Sequence, residues 1–196
     1  MKKFTENFIK LWFFIGLIVT LNCSSFGDYK QISPKGEYVL HIRENIDENR
    51  MRRTIIDVQS DGRFIFQNKE ISNGDEYDSS FLETFSQSSW ITDEIFEFKQ
   101  DEDWTQYLKI NIRNNSSKEI ESLYFLTTNN RFLIFDLKVN ETIVITCGGN
   151  SDPSFMGEVT FEDMSKINID KQFFYKEHSF DKEMSIEISN DSYKIE

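Results

Sequence analysis

The sequence predicts an all-β fold, a β-sandwich immunoglobulin-like in style, and three observations predict it. About 8–10 short segments carry β-branched and aromatic residues with a period near two. Polar turn clusters separate these segments at fairly regular spacing. A length of 196 residues suits one domain able to bury a real core.

Taken in order, the first predicted strands are 37–42 and 53–58. A third, 63–66, follows the Asp61-Gly62 pair, a hairpin signal because both residues tolerate positive φ. Phe81, Leu82, Phe85 and Trp90 allow one short amphipathic helix near 79–90. Segments 94–98 and 107–113 alternate apolar with charged residues, which predicts strands with one face buried and one wet. The turn at 114–119 leads into 120–126, 131–137 and 141–147, whose apolar runs read as core strands. Segments 157–161, 172–175 and 184–188 extend the sheets. Asn115-Ser116-Ser117 and Asn140-Glu141-Thr142 match glycosylation sequons but read better as turns.

Hydrophobic content of 38% with 19 Phe is too apolar for a disordered chain. The formal charge of -12 repels phosphate backbones, so nucleic acid is not an expected partner. With only two cysteines, Cys23 and Cys147, a disulfide framework is not expected either.

The N-terminus carries the clearest functional pattern. Lys2, Lys3 and Lys10 precede an uncharged run from Leu11 to Leu21, the layout of a signal peptide. The run is short for a transmembrane helix, which needs about 20 residues. Thr20-Leu21-Asn22-Cys23-Ser24-Ser25 then places a cysteine directly behind it. This motif resembles the lipobox of bacterial lipoproteins, in the relaxed form seen among spirochaete lipoproteins, with Thr20 and Asn22 where Leu and Gly or Ala are usual. The resemblance covers about the first 25 residues. It implies cleavage before Cys23, a diacylglyceryl group on its thiol, and acylation, palmitate included. The other reading is a secretory signal cut near Ser25. The expected organisation is therefore a lipoprotein signal peptide at 1–22, a lipidated cysteine and flexible tether at 23–36, and a single β-sandwich domain at 37–196.

Candidate sites are few. A nucleophile–base pair would have to use His41 or His178, and neither lies in a catalytic motif. Cys147, before Gly148-Gly149, is expected to be a small buried hydrophobe rather than a nucleophile. Asp101, Asp103 and Asp152 offer hard oxygen ligands of the kind Ca²⁺ takes, but no closing EF-hand-type loop surrounds them, so no metal is expected. Beyond Cys23 the domain offers three possible Cys or His ligands, His41, His178 and Cys147, too few for structural zinc. Trp104, Tyr107, Phe173, Phe174 and Tyr175 are candidates for an exposed aromatic patch.

These readings converge on a non-enzymatic envelope lipoprotein with no cofactor beyond its lipid. Its partners would be the membrane, through the anchor, and a protein. The expected location is the outer membrane, the cell surface or the periplasmic face. Two alternatives stay open: an envelope hydrolase using acidic residues such as Asp101 or Asp103, and an acidic inhibitor or immunity-like protein that blocks a basic partner.

Overall fold

A computed structural model of the chain describes residues 27–75, 80–99, 107–127, 130–148, 154–172 and 183–196. The fold class is as the sequence predicts, almost entirely β.

Alternation builds the first layer from β1 (Gly27–Ile32), β2 (Tyr38–Ile46), β3 (Met51–Ser60) and β4 (Arg63–Asp75), paired antiparallel in that order. β2 buries Tyr38, Leu40, Ile42 and Glu44 and leaves His41 and Arg43 half-exposed between them, the signature of a sheet with one dry face. Asp61 and Gly62 turn β3 into β4 with φ of 50° and 75°, so the hairpin signal holds, with positive φ at both turn positions as a type I′ turn requires. β1 lies where a flexible tether was expected. Its polar sequence gives no period-2 signal, and it is a strand because it pairs with β2 along its whole length, from Gly27 opposite Glu44 to Ile32 opposite Val39.

The expected helix near 79–90 contracts to one turn, α1 (Phe81–Thr84). Ser80 caps it, accepting the Glu83 N–H at 3.4 Å. The buried Glu44 carboxylate accepts the Phe81 N–H at 2.5 Å and the hydroxyl hydrogens of Ser80 and Thr54. Ser86, Gln87 and Ser88 favour turn over helix, and Ser89–Trp90 enter the sheet as a short strand.

That strand, β5 (Ser89–Trp90), belongs to a six-stranded middle sheet with β6 (Ile95–Lys99), β8 (Ile120–Leu126), β9 (Asn130–Leu137), β11 (Ser154–Phe161) and β12 (Lys166–Gln172), in the order β12-β11-β8-β9-β6-β5. A third sheet has the order β10-β7-β13-β14, from β7 (Tyr107–Asn114), β10 (Thr142–Gly148), β13 (Glu183–Ile188) and β14 (Tyr193–Ile195). Every pairing is antiparallel except β13 with β7.

The middle sheet is buried on both faces. On one side Leu123, Phe125, Phe132 and Ile134 meet Ile110, Ile112, Ile186 and Ile188 of the third sheet. On the other, Phe96, Phe98, Tyr124, Leu133 and Phe135 meet Leu40, Ile42, Ile56 and Val58 of the first sheet, with Phe81 and Phe85 of α1. This explains the unbroken runs Leu123-Tyr124-Phe125 and Phe132-Leu133-Ile134-Phe135, since strands covered on both faces need not alternate. The sandwich thus has one layer more than the pattern of short strands conveyed. The described residues hold fourteen strands rather than about 8–10, because β1, β5, β12 and β14 are short or polar, while the predicted segment 172–175 lies, from 173 on, outside the described residues.

Candidate functional site

Among the described residues, a cleft opens where the start of β2, the strands β6 and β9, and the start of β10 come together. Its volume is about 340 Å³, with Ile95, Ile134, Leu137 and Ile143 on its apolar wall. Its rim is acidic: Glu37, Glu94, Asp136 and Glu141 surround it, with Lys138 the one basic side chain in the lining.

Backbone geometry at Asp136 shapes this rim. Phe135 faces the first sheet and Leu137 faces the third, although two residues apart on one strand they should share a face. Asp136 between them has φ of 55°, a left-handed conformation aspartate tolerates better than most, and this reverses the alternation. Its exposed carboxylate accepts the Tyr38 hydroxyl hydrogen at 2.9 Å. Burial, then the Asp136 hydrogen bond and charge, raise the Tyr38 phenol above its ordinary value and keep it a neutral donor. Lys138 donates to Glu119 at 2.7 Å and stands 3.9 Å from Asp136, and the Glu119 hydrogen bond is the main reason its ammonium titrates above the usual range.

Beside the cleft, one carboxylate oxygen from each of Glu37, Asp93 and Glu94 lies within 4.8 Å of the other two. The chain reaches this arrangement through two local devices. Ser33-Pro34-Lys35-Gly36 forms a β-turn closed by Gly36 N–H to Ser33 O at 2.9 Å, with proline at its second position and Gly36 at φ of 84°. Asp93 Oδ1 accepts the Lys35 N–H at 2.7 Å and ties that turn to the bend before β6. Asp93 is 5% exposed, and its second oxygen, Oδ2, is buried with no hydrogen-bond partner. Burial opposes its ionisation, but the Lys35 N–H, the neighbouring Ser33 and Glu37 side chains and the Lys35 charge outweigh burial and hold it below its ordinary value. Glu37 titrates above the ordinary carboxylate range, first because of its contact with Asp93. Lys35 Nζ reaches Glu94 Oε1 at 3.6 Å from a side chain that is 66% exposed.

The residues singled out in the sequence fall elsewhere. Cys23, Asp101, Asp103, Asp152, Trp104, Phe173, Phe174, Tyr175 and His178 lie outside the described residues. His41 of β2 pairs with the exposed Asp28 on the neighbouring edge strand β1. Cys147 is a free, buried thiol in β10, and burial pushes its pKa up to about 12. Its burial is as expected of a small core residue, and the raised value keeps the thiol protonated at neutral pH. Tyr107 is exposed on β7. Sequence reasoning missed Glu37, Asp93, Glu94 and Asp136, because the first lies far along the chain from the others and only the docking of the first layer on the middle sheet unites them. The Thr92-Asp93-Glu94 bend ahead of an apolar strand was the one local sign.

No helix among the described residues is long and apolar enough to cross a membrane. Comparison of the chain with protein-family models, characterised proteins and solved structures finds no match.

Proposed function

We propose that this chain is an exported lipoprotein, anchored in the cell envelope through Cys23, whose β domain has a non-enzymatic binding role. The observation that carries the reading is the basic segment, apolar run and Cys23 set directly ahead of β1, the first described strand of the domain. Ser24, Ser25 and Phe26 are the only residues between the two, so anchor and domain are at most about 14 Å apart. The domain would therefore work at the membrane surface, with its acidic cleft as the binding feature. Two or more acyl chains, as a lipobox cysteine receives, suffice for stable attachment.

The test is the intact mass and detergent partitioning of the full chain made in a bacterial host, beside a Cys23→Ala variant. A mature chain starting at Cys23 with added acyl mass, absent from the variant, supports the reading; an unlipidated chain cut near Ser25 overturns it.

The acidic rim of the cleft favours one second reading, an inhibitor-like protein that seats a basic group of a partner. Binding to a cationic protein that weakens steeply with salt, and is lost on neutralising Glu94 and Glu141, would support it.

A further inference from the structure

We propose that Glu37, Asp93 and Glu94 form a Ca²⁺ site that joins the first turn of the domain to the middle sheet at the mouth of the cleft. The spacing fits one ion: ligands at about 2.3–2.6 Å from a shared Ca²⁺ stand at most about 5 Å apart, and these three oxygens lie within 4.8 Å of one another.

Clustered acids alone would not make a site, since exposed carboxylates are common. The independent observation is Asp93 Oδ2. The structural task of Asp93, holding the 33–36 turn, is fully met by Oδ1 and the Lys35 N–H. Oδ2 remains buried without a hydrogen-bond donor in a residue 95% withdrawn from solvent, with the Ser33 and Glu37 side chains beside the carboxylate. Buried carboxylate oxygens are nearly always satisfied, and one without a donor carries a desolvation cost that a bound cation would offset. Glu37 is exposed and can swing aside to admit the ion.

The donor set selects the metal. Three carboxylates with no nitrogen or sulfur are a poor zinc site. Magnesium demands a near-ideal octahedron, keeps several of its waters and is usually held by one or two carboxylates, so three protein carboxylates on one ion favour Ca²⁺. Lys35, largely in water, is the ammonium that the ion would displace from Glu94. With the remaining positions filled by water, the expected Kd is on the order of 10⁻⁴ to 10⁻³ M, the range of extracellular calcium modules.

The full chain, stripped with chelator and held in nonionic detergent, is titrated with CaCl₂ while thermal unfolding and heat of binding are followed. Tb³⁺ serves as a second probe, because Tyr38 beside Glu37, with Trp90 stacked 6.1 Å away, can sensitise its emission. The expected result is a saturable rise in Tm and Tb³⁺ emission displaced by Ca²⁺. Both should weaken at least tenfold in Glu37→Gln and Asp93→Asn and stay unchanged in Glu187→Gln on β13. Should Asp93→Asn fail to fold, Glu37→Gln carries the test alone, its side chain being exposed. The site is overturned by the absence of any response at about 10 mM Ca²⁺, ten times the weakest expected Kd. It is equally overturned by responses that are the same in Glu37→Gln as in the unaltered chain, which would mean diffuse binding to an acidic surface.

Discussion

The Tyr38 hydroxyl donates to Asp136 Oδ2 across 2.9 Å and so bridges β2 of the outer layer to the middle sheet, a separation of 98 residues in sequence. The same ring stacks on Phe135 with centroids 4.7 Å apart. Tyr38→Phe keeps the stacking and removes only the hydroxyl. The expected loss is about 0.5–1.5 kcal/mol, the usual worth of one intramolecular hydrogen bond, since Asp136 is exposed and can turn to water. Urea unfolding of both chains measures it through the midpoint at constant m. A loss above about 3 kcal/mol would show that the bond also holds Asp136 in its left-handed conformation.

Asn114 is the second long-range clamp. Fully buried at the end of β7, it donates to Lys118 O at 2.8 Å and Leu137 O at 3.0 Å, and its Oδ1 accepts from Ser116 N at 3.1 Å and Ser116 Oγ at 2.6 Å. All four bonding positions of the amide are used. Asn114→Ala removes the amide's bonds to Leu137 O, Lys118 O and Ser116, although Lys118 O keeps the Ser116 hydroxyl at 2.7 Å, so a loss of about 2–3 kcal/mol is expected at the urea midpoint. Ser117→Ala, whose hydroxyl merely reaches Asn190 at the surface, should change stability by less than about 0.5 kcal/mol.

These two clamps mark what the sequence could and could not reveal. Asn114 and Asn140 stood in turn-rich segments; Asn140 does turn, with φ of 63°, whereas Asn114 is the last residue of β7, just ahead of the bend at 116–118. β2, β3 and β7 were legible because one face of each is wet, so composition alternates along the strand. β8 and β9 were legible as core, but their unbroken apolar runs did not reveal that two further sheets cover them. Burial on two faces erases the period that would assign each residue to a side. Neither β1 nor the Glu37, Asp93 and Glu94 corner could be read, because each depends on a partner segment and not on its own pattern.

Glu158 gives the pH dependence a defined origin. On β11 it receives Lys69 of β4 at 3.0 Å and Lys166 of β12 at 3.1 Å, linking the outer and middle sheets. Burial opposes its ionisation, but the two lysine hydrogen bonds and charges outweigh that and hold the carboxyl below its ordinary 4.5. A depressed native value means that the contribution is fully present above the unfolded value and fades as pH falls through the native one. The stability difference between the unaltered chain and Glu158→Gln should therefore be flat from about pH 8 to 5, on the order of 1 kcal/mol, and shrink in more acidic buffer. A difference that grew with acidification would contradict the assignment.

Cys147 offers a direct readout of opening in the core. It is 3% exposed, its Sγ contacts Leu108 O at 3.7 Å, and burial pushes its thiol up to about 12. In a Cys23→Ala background it is the sole thiol, so a chromogenic disulfide reagent reports on this position alone. Native labelling should be far slower than that of a denatured control and should accelerate with urea, because the reactive thiolate forms only when the sheets part. Ile110→Ala, in the same core cluster, is expected to cost about 2–5 kcal/mol. Where reclosing outpaces reaction, labelling follows the open population, and each 1.4 kcal/mol lost speeds it about tenfold. Ile110→Ala should then label at least about tenfold faster than its parent. Rapid labelling of the parent without denaturant would mean that β10 opens independently of the layer it covers.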